Sequence, residues 1–152
     1  MKRVFALALL VASVMLVIAV SASARGHHHA RQTIRVVEHA TTDAVTNGKP
    51  GDHAGNILTF ANKVFNAADT RKVGHDQGSC VRIVVGKSWE CMWTTFLRKG
   101  QITVEGPFYD TSNSVLAITG GTGAYRNVRG QMALKYHNHA GTKFDFVFHL
   151  IR

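Results

Sequence analysis

The sequence lacks the motifs of several common enzyme classes. It has neither a Gly-x-Ser-x-Gly nucleophile elbow nor a His-Glu-x-x-His zinc motif, which argues against an α/β-hydrolase or a zinc peptidase of the usual kind. The run Gly86-Lys87-Ser88 imitates the end of a phosphate-binding loop, but Val81 stands where the first glycine is required. A dinucleotide fingerprint fails in the same way, because Arg126 replaces the third glycine after Gly121-Thr122-Gly123.

Long helical patterns are also missing beyond the N-terminal region. Without a helix after each strand, the parallel βαβ architectures lose support and an antiparallel barrel or sandwich gains it. The chain of 152 residues is too short for more than one ordinary domain. A single all-β domain is therefore expected.

Acidic residues are scarce. Nine Asp and Glu stand against 18 Lys and Arg, so the formal net charge is +9. The basic residues are scattered, with only short pairs such as Arg71-Lys72 and Arg98-Lys99, which favours a solubilising surface. We expect no specific nucleic-acid partner.

The N-terminus has the pattern of a secretory signal peptide. Lys2 and Arg3 precede an apolar run over residues 4–20, and small residues follow at 21–24. We expect residues 1–24 to be removed after Ala24, leaving a secreted, extracellular protein without stable membrane insertion. The alternative is an uncleaved anchor, since the run approaches the shortest length that spans a bilayer. Cleavage would leave 16 basic residues against nine acidic ones, a net charge of +7.

Residues 25–32 predict a flexible, histidine-rich tail. The three histidines at positions 27–29 are adjacent, whereas a built metal site draws its ligands from separated, rigid positions. His137 and His139 lie on one face of a strand, but no third ligand is identified. We expect no metal site and no cofactor.

Short β-rich runs bounded by turn residues fill the rest of the chain, residues 33–152. We predict strands at 33–41, 56–65, 80–85, 89–97, 101–106, 115–119, 131–138 and 143–151. The last of them alternates most clearly, with Phe144, Phe146, Phe148 and Leu150 on one side, which must be buried. Closure into an antiparallel barrel would hide the edges of these apolar strands.

The two cysteines suggest one disulfide. Cys80 and Cys91 flank a predicted hairpin turn, where cross-strand positions come close enough to bridge. An exported protein with two cysteines is expected to join them. A bridged Cys80 would not serve as a free thiol.

Residues 116–130 carry the most informative pattern, in which an apolar strand meets a glycine cluster and an aromatic-basic turn. Such a segment indicates a sheet corner, because glycine permits positive φ and close backbone approach. The segment is similar to one in plant allene oxide cyclases, and its Gly-Thr-Gly-x-Tyr-Arg-x-x-Arg-Gly portion resembles the signature of dirigent proteins. Further similarity to the cyclases extends over residues 51–52, 60–65, 71–74, 78–80, 100–107 and 143–146. The resemblance implies an eight-stranded antiparallel barrel with an apolar cavity, assembled as a trimer or dimer.

The resemblance also implies a site in the barrel. Glu38 takes the place of a catalytic glutamate, Asn62 that of a water-holding asparagine, and Cys80 that of a cysteine, while Phe60 matches an aromatic residue of the cavity wall.

Two positions depart from the cyclase pattern. Phe108 stands where a tyrosine is expected, with Tyr109 one residue later and on the opposite face of a regular strand. Ala40 stands where a second water-holding asparagine is expected. Both changes remove polar groups from the reaction centre and leave its apolar walls.

Several of these residues have a structural interpretation beside the functional one. Glu38 is equally suited to an ion pair with Arg82 or another cation, and Asn62 to hydrogen bonds with buried backbone groups. Trp89 and Trp93 share a strand face with Cys91, where they line either a ligand cavity or an ordinary core.

Two arginines beyond the glycine cluster also have both a functional and a structural interpretation. Arg126 and Arg129 are candidates for binding an anion at the barrel rim or for pairing with Asp52 and Asp110. Ion pairing is the interpretation that we favour.

Two functions follow. The first is a secreted, dirigent-like barrel that binds a small apolar or phenolic ligand and orients a reactive intermediate without covalent chemistry. The second is a cyclase-like isomerase that closes an unsaturated epoxide to a cyclopentenone with Glu38 and Asn62. Whether the chain is an enzyme stays open at this point.

Overall fold

The computed structural model describes residues 31–152, which form ten β-strands and one single-turn 3₁₀ helix. The strands are β1 Arg31–His39, β2 Ala44–Asn47, β3 Ile57–Phe60, β4 Lys63–Asn66, β5 Lys72–Val84, β6 Ser88–Leu97, β7 Gly100–Tyr109, β8 Ser114–Gly121, β9 Arg129–Tyr136 and β10 Lys143–Ile151. The expected signal peptide and most of the expected tail lie outside the described residues. Arg31 and Gln32, which we expected in the tail, begin β1.

The strands close into an antiparallel barrel. From β1 the order runs through β10, β9, β8, β7 and β6 to β5, and β5 pairs with both β3 and β4. Because β4 returns to β1, the sheet is closed. β3 and β4 together occupy one position in the barrel, so the closed sheet has eight strand positions, with β2 added outside on β3. The predicted eight-stranded antiparallel β-barrel is confirmed.

The strand predicted over residues 56–65 is interrupted at Ala61 and Asn62. Across this break the backbones of Asn62 and Asp76 still exchange two hydrogen bonds of 3.0 Å, so the connection to β5 is not lost. The interruption turns the Asn62 side chain towards the residues that follow β1.

β5 is longer than predicted and begins at Lys72. Its first half contains Gly74, Asp76 and Gly78, which are residue types that usually mark loops. A Cβ atom at Gly78 would overlap the Trp93 side chain and the Met92 carbonyl of β6. Gly78 therefore lets β5 and β6 approach closely beside the Trp93 ring.

The glycine cluster forms the predicted corner. β8 ends at Gly121, and Gly123 adopts a φ of +58° at the start of the 3₁₀ turn that leads towards β9. Tyr125 of this turn is buried in the apolar core of the barrel.

Inward-facing side chains fill the barrel. The predicted inner face of β10 is confirmed, because Phe144, Phe146, Phe148 and Leu150 are all buried. They pack with apolar residues from the other strands, namely Val36, Val64, Ile102, Val104, Leu116, Ile118, Met132 and Leu134. Among the described residues, no helix is long and apolar enough to cross a membrane.

Cys80 and Cys91 face each other across β5 and β6 and form the predicted disulfide. The bridge closes a short hairpin, with a sequence separation of 11 residues. In the chain-entropy model, a loop of this length restricts the unfolded state enough to stabilise the fold by about 3 kcal/mol.

We expect the double variant Cys80→Ala/Cys91→Ala to lose about 3 kcal/mol of unfolding free energy in urea titrations, because its unfolded chain regains that freedom. Reductant should destabilise the wild-type protein to a similar degree and leave the double variant unchanged. Equal stability of the oxidised wild type and the variant would contradict this role of the bridge.

Candidate ligand-binding site in the barrel lumen

A cavity of about 60 Å³ lies in the lumen, towards the end of the barrel where β1 ends and β10 begins, which we call the upper end. Its apolar lining comes from alternate residues of six strands, which point inwards as strand geometry requires. These are Leu58, Phe60, Cys80, Trp89, Cys91, Trp93, Phe108, Leu134, Phe144 and Phe146. Two carboxyl groups, those of Glu38 and Asp43, complete the lining.

The aromatic rings of the lining support one another. Trp93 lies with its ring centroid 6.0 Å from that of Phe60 and 5.4 Å from that of Phe146. Phe144 meets Phe108 edge to face at 5.6 Å. Edge-to-face and tilted contacts of this kind are favourable arrangements of aromatic rings. The aromatic side chains therefore form one continuous apolar wall.

Asn62 organises the polar end of the lumen. Its side-chain Oδ1 accepts hydrogen bonds from the backbone N–H groups of Thr41 and Thr42 and from the Thr42 hydroxyl, each at 3.0 Å. Its Nδ2 donates to Glu38 Oε1 at 2.9 Å and to Asp43 Oδ1 at 2.6 Å. One amide thus fixes two lumen carboxyl groups and the chain that leaves β1.

Burial dominates the electrostatics of this cluster. It raises the pKa of Glu38 well above its ordinary range, and the neighbouring charge of Asp76 raises it further. Burial also raises the pKa of Asp76 to about 7 and shifts the pKa of Asp43 upwards. Repulsion between the neighbouring carboxyl groups of Glu38 and Asp76 disfavours ionisation of both at once.

Arg82 closes the upper end from the other side. Its guanidinium pairs with Asp52 at 2.6 Å and with Asp110 at 2.7 Å, and it stacks 4.0 Å above the ring of Trp89. We call residues 40–56, which connect β1 to β3, the strap. The strap is held near its start by Asn62 and near its end by the Asp52–Arg82 pair.

This arrangement corrects two expectations. Glu38 does not pair with Arg82, because Asp52 and Asp110 occupy that guanidinium. For the same reason these two aspartates are not the partners of Arg126 and Arg129. Both arginines are exposed and lie by the corner that ends β8, far along the chain from the strap.

The structure also decides the role of Cys80. Its sulfur is bonded to Cys91, so the catalytic thiol that the resemblance implied is wrong, and the cystine instead forms part of the lumen wall. Phe108 points into the lumen, whereas Tyr109 is 39% exposed. The substitution of phenylalanine for tyrosine therefore leaves this part of the wall apolar.

The structure brings together Glu38, Asn62, Phe60, Trp89, Trp93 and Phe108 in one site. Both structural roles considered for these residues are present as well, since Asn62 binds backbone groups and both tryptophans are buried. Sequence reasoning missed Asp76 and Asp43. Asp76 precedes Cys80 by four residues, so extending the strand pattern backwards would have placed it on the same inner face. Asp43 has no comparable signal, because only its bond to Asn62 places it in the lumen.

Histidines do not build a metal site in the part of the chain that the structure describes. Across residues 31–152, no group of three or more His, Cys, Asp or Glu side chains is arranged to hold a metal ion. His137 bonds to Asp145 at 2.9 Å instead. The three histidines at 27–29 lie outside the described residues.

One family model and a set of solved structures are similar to this chain. The family model described as "Allene oxide cyclase" matches residues 32–151. A solved structure of a pyocyanin demethylase is 25% identical, with a TM-score of 0.59, covering 78% of this chain and 100% of that one.

Two other solved structures are similar in fold alone. A pterocarpan synthase dirigent protein is 19% identical, with a TM-score of 0.66, covering 81% of this chain and 96% of that one. An exo-specific intermolecular Diels-Alderase is 13% identical, with a TM-score of 0.65, covering 81% and 99%.

The raised pKa values predict that stability falls as pH rises. Between the ordinary pKa of Asp76, 3.8, and its folded pKa of about 7, the folded state binds more protons than the unfolded state. Each additional proton then lowers the unfolding free energy by about 1.4 kcal/mol per pH unit. We expect urea titrations from pH 4.5 to 8 to show this slope, and Asp76→Asn to reduce it. Glu90→Gln, which alters an exposed carboxylate of β6, is the control and should keep the slope; a flat wild-type profile would refute the assignment.

Proposed function

Because this chain belongs to the allene oxide cyclase family, we propose that its barrel binds a small apolar or phenolic molecule in the lumen and orients a reactive intermediate there, in a dirigent-like manner. The observation that carries the proposal is a cavity with an aromatic wall and one polar end, which Glu38, Asp43 and Asn62 form. A mostly apolar pocket with a few convergent polar groups is the usual form of a small-molecule site. Such a pocket accelerates or directs a reaction by holding reacting groups in one orientation.

The small volume of the cavity determines how a ligand can enter it. Its 60 Å³ corresponds to about two water molecules, whereas a dry cavity that admits benzene measures about 150 Å³. A ring-sized ligand must therefore displace side chains as it enters. Leu58, Phe60 and Phe108 are partly exposed, so these are the wall residues that we expect to move.

The indole of Trp93 supports a ligand that carries oxygen. Trp93 lines the lumen and is buried, and its Nε1–H has no hydrogen-bond partner among residues 31–152. An unpaired buried donor costs about 1–3 kcal/mol, which a phenolic or carbonyl oxygen on the ligand would recover.

Two further features belong to the proposal. The Cys80–Cys91 bridge supports export, because disulfides persist in oxidising compartments outside the cytosol. Exposed apolar side chains on the outside of β5 and β6, namely Val81, Ile83 and Met92, support association with further copies of the chain as a dimer or trimer.

Ligand binding is tested by titrating the protein with phenolic and fatty ligands while following tryptophan fluorescence, since Trp89 and Trp93 both line the lumen. We expect saturable binding to the wild type and much weaker binding to Leu58→Phe, which puts a larger side chain into the wall of an already small cavity. Val115→Phe adds the same ring on the exposed face of β8 and should bind like the wild type. Absence of saturable binding across both ligand classes would count against the proposal.

A second function, the cyclase-like isomerase, is favoured by one observation. The hydrogen bond from Asn62 to Glu38 keeps two of the implied catalytic residues together in the lumen. In this alternative, Glu38 stabilises charge that develops as the epoxide opens, and Asn62 fixes the position of Glu38. The bridged cysteine and the apolar Phe108 place this function second.

The isomerase is tested by the chirality of its product. A freshly generated allene oxide should give an enantiomerically enriched cyclopentenone with the wild-type protein and a less enriched product with Glu38→Gln. Heat-denatured protein provides the control. A racemic product in the presence of folded wild type would eliminate this function.

A further inference from the structure

We infer that the lumen prefers aromatic ligands that carry a positive charge over neutral or anionic ligands of the same shape. The inference rests on the proposed ligand-binding function and specifies its ligand class. It starts from the distribution of the few acidic residues in this basic chain.

Three of the nine acidic residues, Glu38, Asp43 and Asp76, gather at the polar end of the lumen. Elsewhere the aspartates have basic partners. Asp52 and Asp110 bind Arg82, Asp69 binds His39 and Lys143, and Asp145 binds His137. The lumen group has the neutral amide of Asn62 in place of a cation, and none of the lining residues within 31–152 is basic.

Asp76 supplies an independent sign of a missing partner. Its side chain is fully buried, and its Oδ2 has no hydrogen-bond partner among the described residues. Buried carboxyl groups normally find a cation or several donors, since an isolated buried charge is very costly. A cation in the lumen would lower the energy of this group as a whole.

The walls of the lumen favour the same ligand. Six aromatic residues line it, and the face of an aromatic ring attracts a cation by about 0.5–2 kcal/mol, more strongly where water is excluded. Trp89 already accepts Arg82 on one face, which shows that a ring of this wall binds a cation. Aromatic faces and carboxyl groups together form a cage that fits a flat cation better than a neutral hydrocarbon.

The positive charge of the whole protein does not cancel this preference. Surface charges are screened beyond about 8 Å at physiological ionic strength, whereas buried charges such as those of the lumen are screened much less. For a bound ligand, the carboxyl groups of the lumen therefore decide the sign that is preferred.

The inference is tested with three probes that share one bicyclic frame and differ in charge. These are 1-methylquinolinium, the isosteric hydrocarbon 1-methylnaphthalene, and the anion 1-naphthoate. Calorimetric titration of the full chain should give a dissociation constant for the cation about tenfold below that of the hydrocarbon, with the anion weakest. In Asp43→Asn the advantage of the cation over the hydrocarbon should shrink severalfold. The control Asp145→Asn changes an exposed carboxylate and should keep the full advantage.

The outcomes separate this inference from the function on which it rests. Equal or tighter binding of the hydrocarbon would overturn the charge preference and leave ligand binding intact. A cation preference that survives in both Asp43→Asn and Glu38→Gln, each verified as folded by circular dichroism, would overturn the assignment to the lumen carboxyl groups. If none of the probes binds the folded wild type, the proposed function itself fails.

Discussion

The side-chain amide of Asn62 joins the parts of the molecule that make a site possible. It lies where the strand formed by β3 and β4 is interrupted, and it ties the strap to the lumen through Thr41 and Thr42. The same group holds Glu38 and Asp43 by its two N–H donors. A side chain without both donor and acceptor functions would leave either the strap or the carboxyl groups unsatisfied. The interruption between β3 and β4 therefore has a structural role in the site, since it places the Asn62 side chain.

The two ends of the barrel interior differ in composition. Below the cavity, Phe148, Ile102 and Met132 are fully buried among other apolar side chains. Above it, aromatic rings face a buried group of carboxyls that has no counter-charge. Burying these carboxyl groups lowers the free energy of unfolding. The apolar packing below the cavity and the disulfide in the wall offset that loss. Sites that bind or react with small molecules often hold groups whose pKa values are displaced in this way.

Patterns of alternation were enough to predict an antiparallel all-β domain, because a strand such as β10 reveals its buried face directly through Phe144, Phe146 and Phe148. The eight-stranded barrel was implied by the family resemblance. Cys80 and Cys91 could be paired for a related reason, since hairpin register follows from turn length. Asp76 was missed because glycines on both sides gave its strand the composition of a loop. Asp43 could not be found at all from sequence. Its place depends on a hydrogen bond between residues that are distant in sequence, and no local pattern encodes such a bond.

The pairing of β1 with β10 has a consequence for how the chain acquires its structure. Arg31 lies opposite Ile151, so the seam of the barrel joins the first and last strands of the described chain. Contacts between residues so far apart in sequence are slow to form, because a long loop must close first. During synthesis, the edge of β1 that pairs with β10 stays unpaired until β10 has left the ribosome. A chain that lacks β10 would keep an unpaired strand edge with which other chains could pair. Such a chain would be bound by chaperones.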